Sequence, residues 1–282
     1  MKPANTFLKT TVAATILLSS TSFLPEAMIA HENQTSSSII SSPYDRLTAS
    51  ASQTHDWSYS GSTGPEFWGE LDSQFKACSN GTEQSPIALD PSEVGDEKWA
   101  MDLDYARTEF FIENNGHTIQ ANVIEKKGQP SNQLTLGDST YELVQFHFHS
   151  PSEHTLAGEF YEMEVHLVHK DEQDDLAVLG VLMEEGEKNK TLKDMWKWMP
   201  TSVGTSTKTV KLNPSDLVPT DLSTFQYDGS LTTPPCSEGV KWSVSDTSIT
   251  LSAEQLEAFQ DLYPDNYRPI QDLGDREVGF HY

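Results

Sequence analysis

Over residues 109–113, 117–124, 141–149, 161–169, 176–183 and 240–244, apolar and polar positions alternate or merge into compact apolar runs. A period of two sends successive side chains to opposite faces of an extended chain, so each stretch predicts a β-strand. Turn residues punctuate them at Asn114-Asn115-Gly116, Lys127-Gly128 and Asp228-Gly229. One stretch reads as helix, residues 252–262. Ser252 can cap it, Gln255 stands at the third helical position, and Leu256, Phe259 and Leu262 recur along one side. The pattern predicts one mostly β domain over residues 55–282 and shows no useful internal repeat.

The first 54 residues differ. Lys2 and Lys9 precede an apolar stretch, residues 10–24, that Ser and Thr interrupt and the small residues Ala27 and Ala30 follow. This predicts a secretory signal over residues 1–30. Residues 31–54 are rich in Ser and Thr with no sustained period, which predicts a flexible leader. No other apolar run approaches bilayer length, so the reading is a secreted or periplasmic protein without an integral membrane span. Composition narrows the partners. With 43 acidic residues against 18 basic, the net charge is −25, and such a surface repels phosphate backbones and anionic lipid. Nucleic acid is excluded as a partner. Two cysteines rule out a disulfide-dense scaffold or a four-cysteine zinc module and permit one bridge.

The histidines carry the chemistry. In Gln145-Phe146-His147-Phe148-His149 the two imidazoles share one strand face and the two phenyl rings the other. In the segment 162–169, Glu164, His166 and Val168 share a face, while His169 lies opposite and reads as structural. Pairing the two strands would add a third imidazole to the first two. A lone histidine is more often an ordinary buried or surface residue than a ligand. Three neutral imidazoles without a fourth protein ligand instead describe a catalytic Zn2+ site with one position open for water. Gln145 and Glu164 each precede a candidate ligand by two residues on its own face, where they can accept the outer imidazole N–H.

These segments, with Ser152-Glu153-His154-Thr155 and Ser230-Leu231-Thr232-Thr233-Pro234-Pro235, resemble the signature segments of the α-class carbonic anhydrases. Trp57-Ser58-Tyr59, Gly64-Pro65, Gln84-Ser85-Pro86-Ile87, Asn114-Asn115-Gly116-His117 and residues 266–271 extend the likeness, in order, over nearly all of 55–282. The resemblance implies a large, mostly antiparallel twisted sheet of about ten strands with a few short peripheral helices. It implies a zinc-bound hydroxide, on His147, His149 and His166, that attacks CO2 to give bicarbonate. It assigns Thr232 and Glu153 to orienting that hydroxide, Thr233 to bicarbonate, and Val168, Val178, Leu231 and Trp242 to the apolar wall. His117 takes the proton-shuttle position, with Tyr59 and Asn115 ordering the connecting waters. Cys78 and Cys236 match a bridged pair; on a chain-entropy model a loop this long stabilises by about 4 to 5 kcal/mol. Sulfonamides and small anions are the expected inhibitors, and a homodimer is compatible with the family. Ser150-Pro151 departs from the animal enzymes, as does the shorter loop to Glu153. The alternatives are a catalytically silent zinc-binding relative and a zinc hydroxide esterase. Neither G-x-S-x-G nor H-E-x-x-H occurs, so serine or thermolysin-like hydrolysis has no residues to use.

Overall fold

The computed structural model describes residues 56–125 and 132–282. The expected signal (1–30), the leader (31–54) and the Lys127-Gly128 turn lie outside the described residues. Among the described residues the strands are β1 (Ala88–Leu89), β2 (Met101–Asp104), β3 (Thr108–Asn114), β4 (Ile119–Val123) and β5 (Gln133–Leu136). They continue with β6 (Ser139–His149), β7 (Thr155–Leu156), β8 (Met163–Lys170), β9 (Leu176–Glu185) and β10 (Gly204–Leu212). The last are β11 (Thr224–Ser230), β12 (Glu238–Ser245), β13 (Ile249–Leu251) and β14 (Gly279–His281).

Twelve of these strands form one sheet, ordered β10-β3-β4-β6-β8-β9-β12-β11-β14, with β5 and β2 branching from β6 and β13 from β9. Its pairings are antiparallel except β9 with β12 and with β13. The sheet is mostly antiparallel as expected, with a few more strands than anticipated.

The sheet's two faces bury different things. On one, Phe146 and Phe148 of β6 join Met163, Val165 and Leu167 of β8 and Leu179, Val181 and Met183 of β9. Leu192 and Met195 of helix α1 (Lys190–Trp196) and Leu256 and Phe259 of helix α2 (Ala253–Gln260) cover that layer. Helix α2 begins where the capping pattern placed it: Gln255 Oε1 accepts from the Ser252 N–H at 3.1 Å. The other face carries Val168, Val178, Leu182, Tyr227 and Trp242. His147 and His149 of β6 and His166 of β8 open onto this second face, and His169 onto the first.

Asp228-Gly229 is not a turn. It lies inside β11, just before a register shift at Ser230. Glycine is there for space, because a Cβ at 229 would meet Ser85 Oγ at 2.3 Å and Trp242 Cδ1 at 2.9 Å.

Candidate active site

Strands β6 and β8 pair antiparallel with His147 opposite His166 and His149 opposite Glu164. This register brings three imidazoles together, with ring centroids 5.0 Å apart for His147 and His149, 5.3 Å for His147 and His166, and 4.6 Å for His149 and His166. One nitrogen from each lies within 4.8 Å of the others.

Hydrogen bonds at the back of each ring fix which nitrogen faces inward. His147 Nδ1 donates to Gln145 Oε1 at 2.8 Å, and His149 Nδ1 to the Asn266 carbonyl at 2.7 Å. His166 Nε2 donates to Glu164 Oε1 at 2.9 Å. Two Nε2 lone pairs and one Nδ1 lone pair remain, all directed at the common centre. Burial holds all three imidazoles neutral: it lowers His149 to about 4. Burial and the neighbouring His149 and His166 hold His147 well below its usual value, and burial lowers His166 against the pull of Glu164. His149 Nε2 and Glu153 Oε2 are buried without a hydrogen-bond partner among the described residues. An orphaned imidazole acceptor in a cluster of neutral nitrogens costs free energy unless a cation completes it, so the three histidines fit a metal.

Behind this centre stands Glu164. Its Oε1 accepts from His154 Nδ1 at 2.8 Å and from His166, and its Oε2 accepts the Glu153 and His154 N–H groups, both at 2.9 Å. Burial alone would raise its pKa, but His154 and His166 hold the carboxylate well below its usual range. Gly180 of β9 pairs with His166 of β8, and a Cβ there would reach Glu164 Oε1 at 2.9 Å. His154, Glu164 and His166 also bring three donor atoms close. They make no second centre, because His154 engages Nδ1 on Glu164 and Nε2 on Tyr227 Oη at 2.7 Å.

Glu153 is buried too, and burial pushes its carboxyl up to about 7 against the pulls of His166, the Thr232 hydroxyl and the Arg268 N–H. That N–H reaches Glu153 Oε1 at 2.8 Å. Thr232 is buried on the segment after β11, and the disulfide Cys78–Cys236 closes four residues beyond it. Val168, Val178 and Trp242 form an apolar layer with half-buried Leu231 against it, and the Trp242 ring stands 4.9 Å from that of His166. Thr233, next in the chain, is half-buried.

The sequence model of the family described as eukaryotic-type carbonic anhydrase matches residues 63–282. A carbonic anhydrase of Nostoc is 41% identical over 232 residues, covering 80% of this chain and 86% of the relative. One from Klebsiella pneumoniae is 41% identical over 224 residues, covering 79% of this chain and 89% of that one. The α-carbonic anhydrase of Thermovibrio ammonificans, solved with the inhibitor sulfanilamide, superposes with a TM-score of 0.76 at 38% identity, over 80% of this chain and 99% of that one. The chain belongs to the α-carbonic anhydrase family. It is an enzyme that hydrates CO2 reversibly to bicarbonate and a proton.

In this carbonic anhydrase the turn between β3 and β4 carries His117, whose ring stacks on Trp57 with centroids 3.6 Å apart and planes 6° from parallel. Burial lowers its pKa, opposed by Asp56. Asn115 Oδ1 accepts the His117 and Thr118 N–H groups, both at 2.9 Å, so its side chain shapes the turn. Tyr59 Oη is buried with no hydrogen-bond partner among the described residues. Sequence reasoning had not singled out Trp57, Asn266 or Arg268 as parts of the site. Asn266 lies 117 residues from the His149 it holds and Arg268 lies 115 from the Glu153 it holds, beyond the reach of any local period.

Proposed function

We propose that this carbonic anhydrase is a zinc enzyme in which His147, His149 and His166 hold the metal, while Glu153, Thr232 and His117 orient the reactants and move the proton. Support comes above all from the three inward nitrogens, each left bare by an outer hydrogen bond and all within 4.8 Å. Zinc bound there supplies a Lewis acid that brings the pKa of a water to about 7, the value already known for carbonic anhydrase itself as the standard example of this effect.

The remaining roles belong to the chain. The Thr232 hydroxyl donates to Glu153, which leaves its oxygen free to accept a hydrogen bond from the attacking water and aim it at the carbon of CO2. Val168, Val178, Leu231 and Trp242 give a neutral, linear substrate an apolar wall, and Thr233 adjoins the departing bicarbonate. The released proton passes to an imidazole nitrogen of His117 and from there to buffer. The unpartnered hydroxyl of Tyr59 is suited to ordering water on that route, and Asn115 contributes by holding the His117 turn.

The disulfide supports a setting outside the cytoplasm, with residues 1–30 as export signal, 31–54 as leader and 55–282 as catalytic domain. The sulfanilamide in the Thermovibrio relative supports inhibition of this enzyme by sulfonamides.

Zinc content and stopped-flow CO2 hydration on one sample test the reading. Stoichiometric zinc and a rate that chelation abolishes are expected; folded, zinc-loaded protein at the buffer background would leave a silent relative instead. His117→Ala should slow turnover at low buffer with zinc retained, and imidazole buffer should restore it. Unchanged turnover would remove His117 from the route.

A further inference from the structure

We propose that Asn266 is a positioning residue for proton transfer: its side-chain amide locks the turn carrying His117 to the end of β6 that carries His149. Asn266 is 2% exposed and follows no regular element. Its Nδ2 donates to the His117 carbonyl at 3.0 Å and to the Phe148 carbonyl at 2.9 Å. Its Oδ1 accepts the Ser150 N–H at 2.9 Å. Its own carbonyl accepts from His149 Nδ1 at 2.7 Å, and its N–H donates to the Ser150 carbonyl at 3.2 Å.

One residue therefore ties the main chain of His117 and the imidazole of His149 to a common anchor. A second strut runs beside it, from Thr118 Oγ1 to the same Phe148 carbonyl at 2.6 Å. Without the Asn266 tie, the β3–β4 turn would keep the Thr118 strut, the Asn114 side-chain bonds to Pro200 and Tyr263, its own internal bonds and the stacking of His117 against Trp57, but nothing among the described residues would hold the His117 carbonyl itself to the end of β6. Proton transfer through water depends on the spacing of donor and acceptor, and a buried amide with both donors engaged holds that spacing rigid.

This inference rests on His117 as the proton acceptor, and the test separates the two. Asn266→Asp keeps the acceptor for Ser150 N–H but turns an oxygen toward two carbonyls; Asn266→Ser removes the tie without repulsion. With zinc loaded, kcat at low buffer should fall about tenfold while kcat/KM changes less than about twofold, because kcat/KM reports the hydration step and kcat the proton step. Imidazole buffer should restore kcat, and in a His117→Ala background neither substitution should lower it further. In both zinc-free and zinc-loaded protein, the His117 ring proton should shift toward its free-peptide position as the stack on Trp57 loosens.

Equal falls in kcat and kcat/KM would overturn the proposal, as would an unchanged kcat, a further loss in the His117→Ala background, or failure of both variants to fold. If His117→Ala itself leaves kcat unaltered, the shuttle reading fails with it. A ring proton still displaced by Asn266→Ser would then show that the tie exists and the proton route does not.

Discussion

Strand β8 carries two buried histidines three residues apart, and they do opposite things. His166 and His169 are 1% and 0% exposed, and burial lowers both pKa values, that of His169 to about 3. On His166, Nε2–H donates a hydrogen bond to Glu164 and Nδ1 is left facing His147, His149 and Glu153, whose Oε2 is 3.9 Å away. On His169, Nδ1 donates to the Ala177 carbonyl at 3.3 Å, so Nε2 must accept, and the Tyr105 hydroxyl donates to it at 2.5 Å. The lesson is that burial and a lowered pKa do not mark a metal ligand. An uncommitted ring nitrogen does, and the difference follows from which face of one strand each residue occupies.

The largest expected effect lies in exchanging one member of the pair for the other. His166→Ala, like His147→Ala, should emerge without zinc and hydrate CO2 at the buffer background, since two nitrogens do not retain the ion. His169→Ala should keep stoichiometric metal and the full rate per folded molecule, while losing a few kcal/mol of stability in denaturant titration to the cavity and the stranded Tyr105 hydroxyl. Metal loss in His169→Ala would break the comparison.

Acid should sharpen it next. The His169 imidazole titrates near 6.5 when unfolded and at about 3 in the fold, so between these values the unfolded chain binds more protons. Its contribution is therefore complete above pH 6.5 and is lost progressively as pH falls toward 3, by about 3 kcal/mol at pH 4. Urea midpoints at pH 7 and pH 4 should separate more for the wild type than for His169→Gln. Equal separations would assign the acid sensitivity elsewhere.

How much of this was legible beforehand depends on the range of each interaction. The period of two gave β3, β6, β8, β9 and β12 within a few residues, and it placed His147, His149 and His166 on a common face because alternation is local. Strand β10 went unread since its residues are mostly exposed and polar, with only Val210 and Leu212 buried. Helix α1 went unread because its seven residues are too few to show a helical period, although the Asn189 side chain caps it by accepting the Thr191 and Leu192 N–H groups. Asp228-Gly229 misled because a glycine needed for closeness to Ser85 and Trp242 looks the same in sequence as one needed for a turn. The family resemblance supplied Glu153, Thr232 and the disulfide, which no spacing rule relates to β6 or β8. Asn266 and Arg268 act through main-chain contacts fixed only by the folded path.

Smaller effects come from the groups behind each histidine. Gln145→Ala removes the acceptor that sets the His147 tautomer, so metal affinity should fall by about 10- to 100-fold with the fold intact, measurable by competition with a chelator. The matching change on the other face is Tyr105→Phe. The ring can still lie beside His169, with which Tyr105 stacks at 5.8 Å and 9°, but Nε2 becomes a buried acceptor without a donor. That should cost about 1 to 2 kcal/mol at pH 7 and leave zinc content and turnover unchanged. It also carries a sign that a packing defect would not. The tyrosine hydroxyl stabilises the neutral imidazole, so its removal should raise the folded pKa of His169 toward 6.5 and narrow the interval over which the unfolded chain holds the extra proton. Tyr105→Phe should therefore lose less stability than the wild type between pH 7 and pH 4, while a Gln145→Ala protein freed of metal should track the wild type freed of metal in the same way. Parallel acid profiles for Tyr105→Phe and the wild type would mean that burial alone, without the tyrosine hydroxyl, keeps His169 neutral.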